Sequence, residues 1–318
     1  MRSPIRILIC GDDGYAPHIA SALLSIRDHS GDTPIEVYFG ATSFSDEHRA
    51  RVQSTVPDLP ITWIDIPRSW LDTIPESKWP VENFARLYGI EHMPEGIERV
   101  LYLDADILVR DDLSELWSSD LNGATLGAIR DGGALWMGKF QSNFEELELD
   151  GNLMYVNSGV LLIDVDAWRA RSAYTRCMTY IETWSSRMEF PDQEAINATL
   201  CHEWIELAPR WNWIPKGFDK DEVLQACAFR RSELAEARTN PAIVHFAGTK
   251  PWAWGDSSRE LIGTDFLTEW ETVAHRTPYR DWYGAERERG LAERAAIRPQ
   301  QRSMMRRIRK AFSVLMHG

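Results

Sequence analysis

The 318-residue chain has four cysteines, Cys10, Cys177, Cys201 and Cys227, and no two are spaced as a CxxC pair or a zinc-ligand set. That scarcity argues against a disulfide scaffold and a structural zinc, and it fits a reducing cytoplasm. No apolar run approaches the roughly 18 residues that a membrane-spanning helix needs. The apolar stretch after Met1 is too short for a signal peptide. No GxGxxG follows the first apolar run, so the dinucleotide-binding fingerprint is missing. No acidic residue follows Glu293, whereas seven basic residues do. Removing those seven positives takes the formal charge from −13 for the chain to −20 for residues 1–293. A body of that charge repels nucleic acid.

Hydrophobic residues make up 44% and charged residues 26%, enough apolar material for a core. Short runs rich in β-branched residues alternate with helix-like stretches. The predicted strands are Ile5–Cys10, Ile35–Phe39, Ile61–Ile66, Val100–Leu103, Thr125–Ile129, Val160–Ile163 and Ala242–Phe246. The predicted helices are Ala16–Arg27, Asp46–Thr55, Asn83–Tyr88, Asp166–Arg187, Asp192–Cys201 and Asp265–Ala274. This alternation implies an α/β fold, with a largely parallel central sheet flanked by helices. Residues 1–258 read as one domain. Gly255–Ser258 is a turn-forming stretch, and a helical appendage over 259–318 follows. Within it, the basic segment 294–318 places Met305, Ile308, Phe312 and Leu315 on one helical face among Arg and Lys. Such a segment suits an anionic membrane surface, the alternative being a solvated C-terminus.

Ligands of open α/β sheets bind beyond the carboxyl ends of the strands. The first strand ends in Gly11-Asp12-Asp13-Gly14-Tyr15. Carboxylates there suit a base or ribose better than a pyrophosphate, and either one also serves as a helix N-cap. The run Val100-Leu101-Tyr102-Leu103-Asp104-Ala105-Asp106 ends in two carboxylates. In an extended chain residues i and i+2 point the same way, about 6.5 Å apart. Hard oxygen ligands of this kind select Mg²⁺ or Mn²⁺, which stabilise a departing diphosphate. Asp164-Val165-Asp166 repeats the pattern, although Asp166 also reads as a helix N-cap. Spacing favours Asp104/Asp106 and leaves both pairs open.

RVLYLDADILVRDDLSELW, YVNSGVLLIDVDAW, FPDQEAIN and VHFAGTKPW follow one another in this order. Together they resemble glycosyltransferase family 8 over residues 5–254. Its members are retaining, metal-dependent enzymes of the GT-A nucleotide-sugar-binding fold. The likeness is to the bacterial lipopolysaccharide and lipooligosaccharide α-galactosyl- and α-glucosyltransferases. The resemblance implies Mn²⁺ (or Mg²⁺) on Asp104, Asp106 and His245, and a UDP-hexose donor. It places the base site at Asp12 and Tyr15, and donor contacts at Arg86, Asp104 and Ala105. Asn157 falls on a residue that binds the transferred sugar, and Gly248 and Lys250 reach the diphosphate. Asp192 would bind sugar hydroxyls, although it is also a good N-cap for a helix beginning at Gln193. Gln193 would face the anomeric carbon. An amide oxygen is a weak nucleophile, so same-face attack is favoured. A double displacement would need a carboxylate, for which Asp192 is the candidate.

Lys78 falls near acceptor or phosphate contacts of the family. Asp131–Asn152 has the composition of a mobile loop. Trp204, Trp211, Trp213, Trp252 and Trp254 are mostly core by expectation, with some available as acceptor platforms. The implied acceptor is a lipopolysaccharide or other cell-envelope glycolipid, met at the inner face of the cytoplasmic membrane through the tail. Two alternatives stand beside this reading: a soluble glucosyltransferase directed at protein or glycan, and a non-catalytic module that binds UDP-sugar and metal at the membrane.

Overall fold

The computed structural model describes residues 3–133, 135–141, 143–215 and 231–295. Among them are the strands β1 (Ile5–Asp12), β2 (Ile35–Ser43), β3 (Ile61–Asp65), β4 (Arg99–Leu103), β5 (Ile107–Val109), β6 (Leu126–Arg130), β7 (Val156–Asp164), β8 (Trp204–Glu206) and β9 (Ile243–His245). Seven of these form the central sheet, in the order β3-β2-β1-β4-β7-β6-β8. Strand β7 alone runs antiparallel to its neighbours β4 and β6; the other pairings are parallel. A small second sheet pairs β5 with β9, with Ile107 opposite His245.

Helices cover both faces, so the central strands are apolar on both sides rather than alternating. Ile7, Leu8 and Ile9 of β1 are all buried, as are Val160, Leu161, Leu162 and Ile163 of β7. The helix Ala16–Asp28 starts with Pro17 in its first turn, where a missing N–H costs nothing. It then buries Ile19, Leu23 and Ile26. Trp270, Tyr279 and Tyr283, from residues beyond 258, join the same core cluster as Ile5, Ile7 and Ile9 of β1.

Several boundaries differ from expectation. The predicted helix Asp166–Arg187 breaks at Ser172, whose φ of +52° is left-handed; it becomes Val165–Ala170, Ala173–Trp184 and a 3-10 turn Ser185–Arg187. Asp164, not Asp166, caps the first piece, accepting from the Ala167 N–H at 2.7 Å. The helix Pro191–Leu200 begins earlier than predicted, because Pro191 fits its first turn. Asp192 therefore lies inside that turn and is not the cap. Strands β5 and β8 have three residues each, too short to show a period.

The stretch Asp131–Asn152 carries a short helix, Met137–Phe140, and folds back on itself through Met137 N–H to Leu153 O and Gly138 N–H to Gly151 O. No helix among the described residues is long and apolar enough to cross a membrane. The basic face at Met305, Ile308, Phe312 and Leu315 lies outside the described residues, as does Cys227.

Candidate active site

Strand β4 stops at Leu103, and the chain bends through Asp104-Ala105-Asp106 before entering β5. The two carboxylates are thus not side by side on one extended strand, as the spacing suggested. The bend carries the chain from the large sheet to the small one, where β5 meets β9. That pairing sets His245 beside both acids: His245 Nε2 lies 3.6 Å from Asp104 Oδ2 and 3.4 Å from Asp106 Oδ1. One ligand atom from each of the three residues falls within 4.8 Å of the others. Burial opposes ionisation of Asp106, but Lys250 and His245 outweigh it and hold the carboxyl well below the usual range. Lys250 Nζ donates to Asp106 Oδ2.

The set fits a divalent ion on its own chemistry. It offers two carboxylates and one imidazole nitrogen, and the other imidazole nitrogen is already engaged: His245 Nδ1 lies 2.8 Å from Asn212 Oδ1. Gly159 makes room for it, because a Cβ there would sit 2.2 Å from His245 Cε1 and 2.8 Å from Asp104 Oδ2.

A cavity of about 400 Å³ opens at the carboxyl ends of β1 and β4. Its wall carries Asp12, Tyr15, Arg86, Asp104, Ala105, Asp106 and Lys250, all expected there, together with Trp79, Pro80, Glu82 and Asn83, which were not. Asp12 also caps a 3-10 turn, accepting from the Tyr15 N–H at 3.1 Å. Tyr15 is 43% exposed, so its ring face is available for stacking. Gly248 stands on the loop that carries Lys250, exposed, with a φ of +77° that suits glycine. It does not line the cavity wall.

Arg86 joins the Asp104–Asp106–His245 cluster to the next layer. Its Nη2 lies 3.0 Å from Asp104 Oδ1, its Nε 2.5 Å from Asp192 Oδ2, and its Nη1 donates to Ser158 O at 2.5 Å. Its guanidinium stacks 4.5 Å from the Tyr102 ring centre. The Arg86–Asp192 ion pair is not aligned as a hydrogen bond: Arg86 Nε and Asp192 Oδ2 are both buried without a hydrogen-bond partner. Burial pushes the Asp192 carboxyl up to about 6; Arg86 opposes the rise and Asp104 adds to it.

Gln193 is fully engaged. Its Oε1 accepts from the Ser158 N–H at 3.1 Å and from Asn157 Nδ2 at 3.2 Å, and its Nε2 donates to Asp131 Oδ2 at 3.3 Å. Asn157 Nδ2 also donates to Asp131 Oδ2, at 3.0 Å. Asp131 and Asn212 escaped the sequence reading. Asp131 looked like the start of a mobile loop, yet it is 8% exposed and closes β6 onto this cluster. Asn212 stands between Trp211 and Trp213, and a lone amide between two buried tryptophans was the available signal.

Lys78 is drawn away from the cavity wall into an ion pair with Glu189 at 2.6 Å, while the neighbouring Trp79 indole donates to Glu189 O at 3.0 Å. Of the tryptophans, Trp211, Trp213 and Trp254 are buried in the core, which removes them as sugar platforms. Trp252 stacks on His18 at 3.4 Å. Trp204 is partly buried against the second core cluster.

The family model described as Glycosyl transferase family 8 matches residues 6–254. General stress protein A of Bacillus subtilis (strain 168) is 29% identical over 287 residues, 85% of this chain and 96% of that protein. Lipopolysaccharide 1,2-glucosyltransferase of Escherichia coli (strain K12) is 25% identical over 245 residues, 76% of this chain and 70% of that one. Among solved structures, the galactosyltransferase LgtC in complex with donor and acceptor sugar analogs superposes with a TM-score of 0.70 at 26% identity. That match covers 87% of this chain and 99% of LgtC.

Proposed function

Because this chain belongs to glycosyltransferase family 8, we propose that it moves a hexose, galactose or glucose, from a UDP-sugar to an acceptor hydroxyl, with retention and with a divalent metal. One observation carries the reading: Asp104, Asp106 and His245 cluster where the two carboxylates line the cavity, and Arg86 ties Asp104 to Asp192. The acceptor we propose is a lipopolysaccharide or related cell-envelope glycolipid, in keeping with the Escherichia coli relative's name and with the basic tail. The tail would hold the enzyme on the inner membrane face.

Mn²⁺ held by Asp104, Asp106 and His245 would supply positive charge against the departing diphosphate. Lys250, beside Asp106, adds a cation that can turn to the same phosphates. Tyr15 offers a face to the uracil, and Asp12 and Ala105 line the donor cavity. Gly248 lets the Lys250 loop turn tightly towards it. Arg86 and Asp192 hold sugar hydroxyls, with Asn157 behind them.

The acceptor oxygen forms a bond to the anomeric carbon as the bond from that carbon to the diphosphate oxygen breaks. The leaving oxygen takes the acceptor proton. Same-face attack is supported by the state of Gln193: its amide oxygen already accepts two hydrogen bonds, which lowers its nucleophilicity further. Asp192 is held by Arg86, so a covalent adduct on Asp192 would overturn this preference.

The direct test is UDP release from a panel of UDP-sugars, with Mn²⁺ or with EDTA, with and without cell-envelope glycolipid. Metal-dependent release from one UDP-hexose, raised by glycolipid, is the expected outcome. Binding of UDP and Mn²⁺ without turnover of any donor would point to a non-catalytic module instead.

A further inference from the structure

The backbone fixes the orientation of a chain of buried amides that ends on the metal cluster. Gly159 N–H can only donate, and it donates to Asn157 Oδ1 at 3.0 Å. The atom of Asn212 that faces Asn157 Oδ1, at 2.9 Å, must therefore be its Nδ2. That leaves Asn212 Oδ1 against His245 Nδ1 at 2.8 Å, so Nδ1 is the protonated ring nitrogen. The Nε2 lone pair then points at Asp104 and Asp106. At the other end, Ser158 N–H fixes Gln193 Oε1 in the same way, and Asn157 Nδ2 joins the two halves. Asn212 is 1% exposed and closes the 3-10 turn Pro209–Asn212. Trp213 after it hydrogen-bonds to both Ile243 and His245 of β9, which locks the register.

We propose that Asn212 is a positioning residue: it holds His245 in the tautomer that binds metal, and through Asn157 it ties that ligand to the side chains that meet the transferred sugar. This rests on the glycosyltransferase reading, and it deepens that reading by making metal binding and sugar placement parts of one rigid network. An outer partner of a metal-bound imidazole typically contributes 10- to 100-fold in metal affinity (about that range).

Two substitutions separate the roles. Asn212→Ala removes the acceptor for His245 Nδ1–H and the donor for Asn157. Asn212→Asp keeps the acceptor and loses the donor. Mn²⁺ affinity is read by electron paramagnetic resonance of free Mn²⁺ with UDP present. Asn212→Ala is expected to weaken Mn²⁺ binding about 10- to 100-fold. Asn212→Asp should bind Mn²⁺ within a few-fold of the parent, yet show a raised KM for the UDP-hexose, since a carboxylate would then face Asn157 Oδ1. ¹⁵N shifts of His245 in the metal-free parent chain should report the Nδ1–H form.

An Nε2–H form, or Mn²⁺ binding by Asn212→Ala equal to the parent's, overturns the positioning role while leaving the metal site intact. A parent chain that binds no Mn²⁺ with UDP overturns the metal reading itself, and this inference with it.

Discussion

Arg86 sets one guanidinium against two carboxylates, Asp104 and Asp192, and burial disfavours the charge of Asp192. An unfolded aspartate titrates near pH 4, whereas Asp192 titrates at about 6. The native state therefore holds this proton more tightly than the unfolded chain does. The stability due to this group is fully present below about pH 4 and is lost as the pH rises towards 6. On the proposed function activity should run the other way, because the carboxylate form is the one that pairs with Arg86 and would hold a sugar hydroxyl. Transfer should fall as the pH drops through about 6. Asp192→Asn should flatten the melting temperature between pH 4 and 6 and lower kcat by on the order of 10²-fold. An unchanged pH profile in both melting and rate would show that Asp192 does not carry this titration. In the sequence, Asp104 and Asp106 stand out by their place after an apolar strand run, whereas Arg86, Asp192 and His245 are picked out only by the family motifs they match. The sequence was silent on Asp131 and Asn212. Their roles depend on partners 26 and 33 residues away, Asn157 and His245, which only the closed sheets bring within reach.

At the scale of elements, the site depends on how close β7 allows β9 and the bend after β4 to come. Gly159 in β7 is where that closeness is greatest, with Asp104 N–H donating to Gly159 O at 2.9 Å. The Gly159→Ala Cβ would collide with His245 and Asp104, and overpacking of this kind costs about 1–3 kcal/mol. It should also abolish tight Mn²⁺ binding. Gly96→Ala is the matched control: its φ is +81° and nothing lies within 4 Å of its Cβ. It should cost roughly 1–2 kcal/mol of backbone strain and leave Mn²⁺ binding unchanged. Melting curves and Mn²⁺ titration of both variants decide the matter; equal Mn²⁺ affinities would show that His245 can shift without loss. The longer strands and the helix Ala16–Asp28 were legible because their apolar patterns run over several residues. Strands β5 and β8 were not, and the break at Ser172 followed no glycine or proline that would have announced it.

For the whole molecule, the question is where the catalytic body ends and any membrane-binding segment begins. Residues 280–295 are helical and lie against the body rather than apart from it. Tyr283 is 1% exposed, and its hydroxyl meets Ser21 at 3.0 Å and His18 at 3.2 Å. Burial lowers His18 to about 3; Asp106 opposes this weakly and Lys250 adds to it, so the ring packs neutral against Trp252. Tyr15, on the wall of the cavity, meets both rings edge-on. A chain ending at residue 277 would lose Tyr279 and Tyr283, each a large buried aromatic whose removal typically costs 3–5 kcal/mol (a rough figure). It should melt well below the parent and bind UDP weakly. A chain ending at residue 295 keeps both tyrosines but loses six of the seven terminal positives. It should melt like the parent and release UDP from a soluble acceptor at the parent's rate, yet fail to sediment with anionic vesicles, because about 1 kcal/mol of surface attraction goes with each basic residue. Unchanged sedimentation of that shorter chain would move the membrane contact onto the body, whose formal charge up to residue 293 is −20, and would remove the reason for placing the acceptor at a membrane.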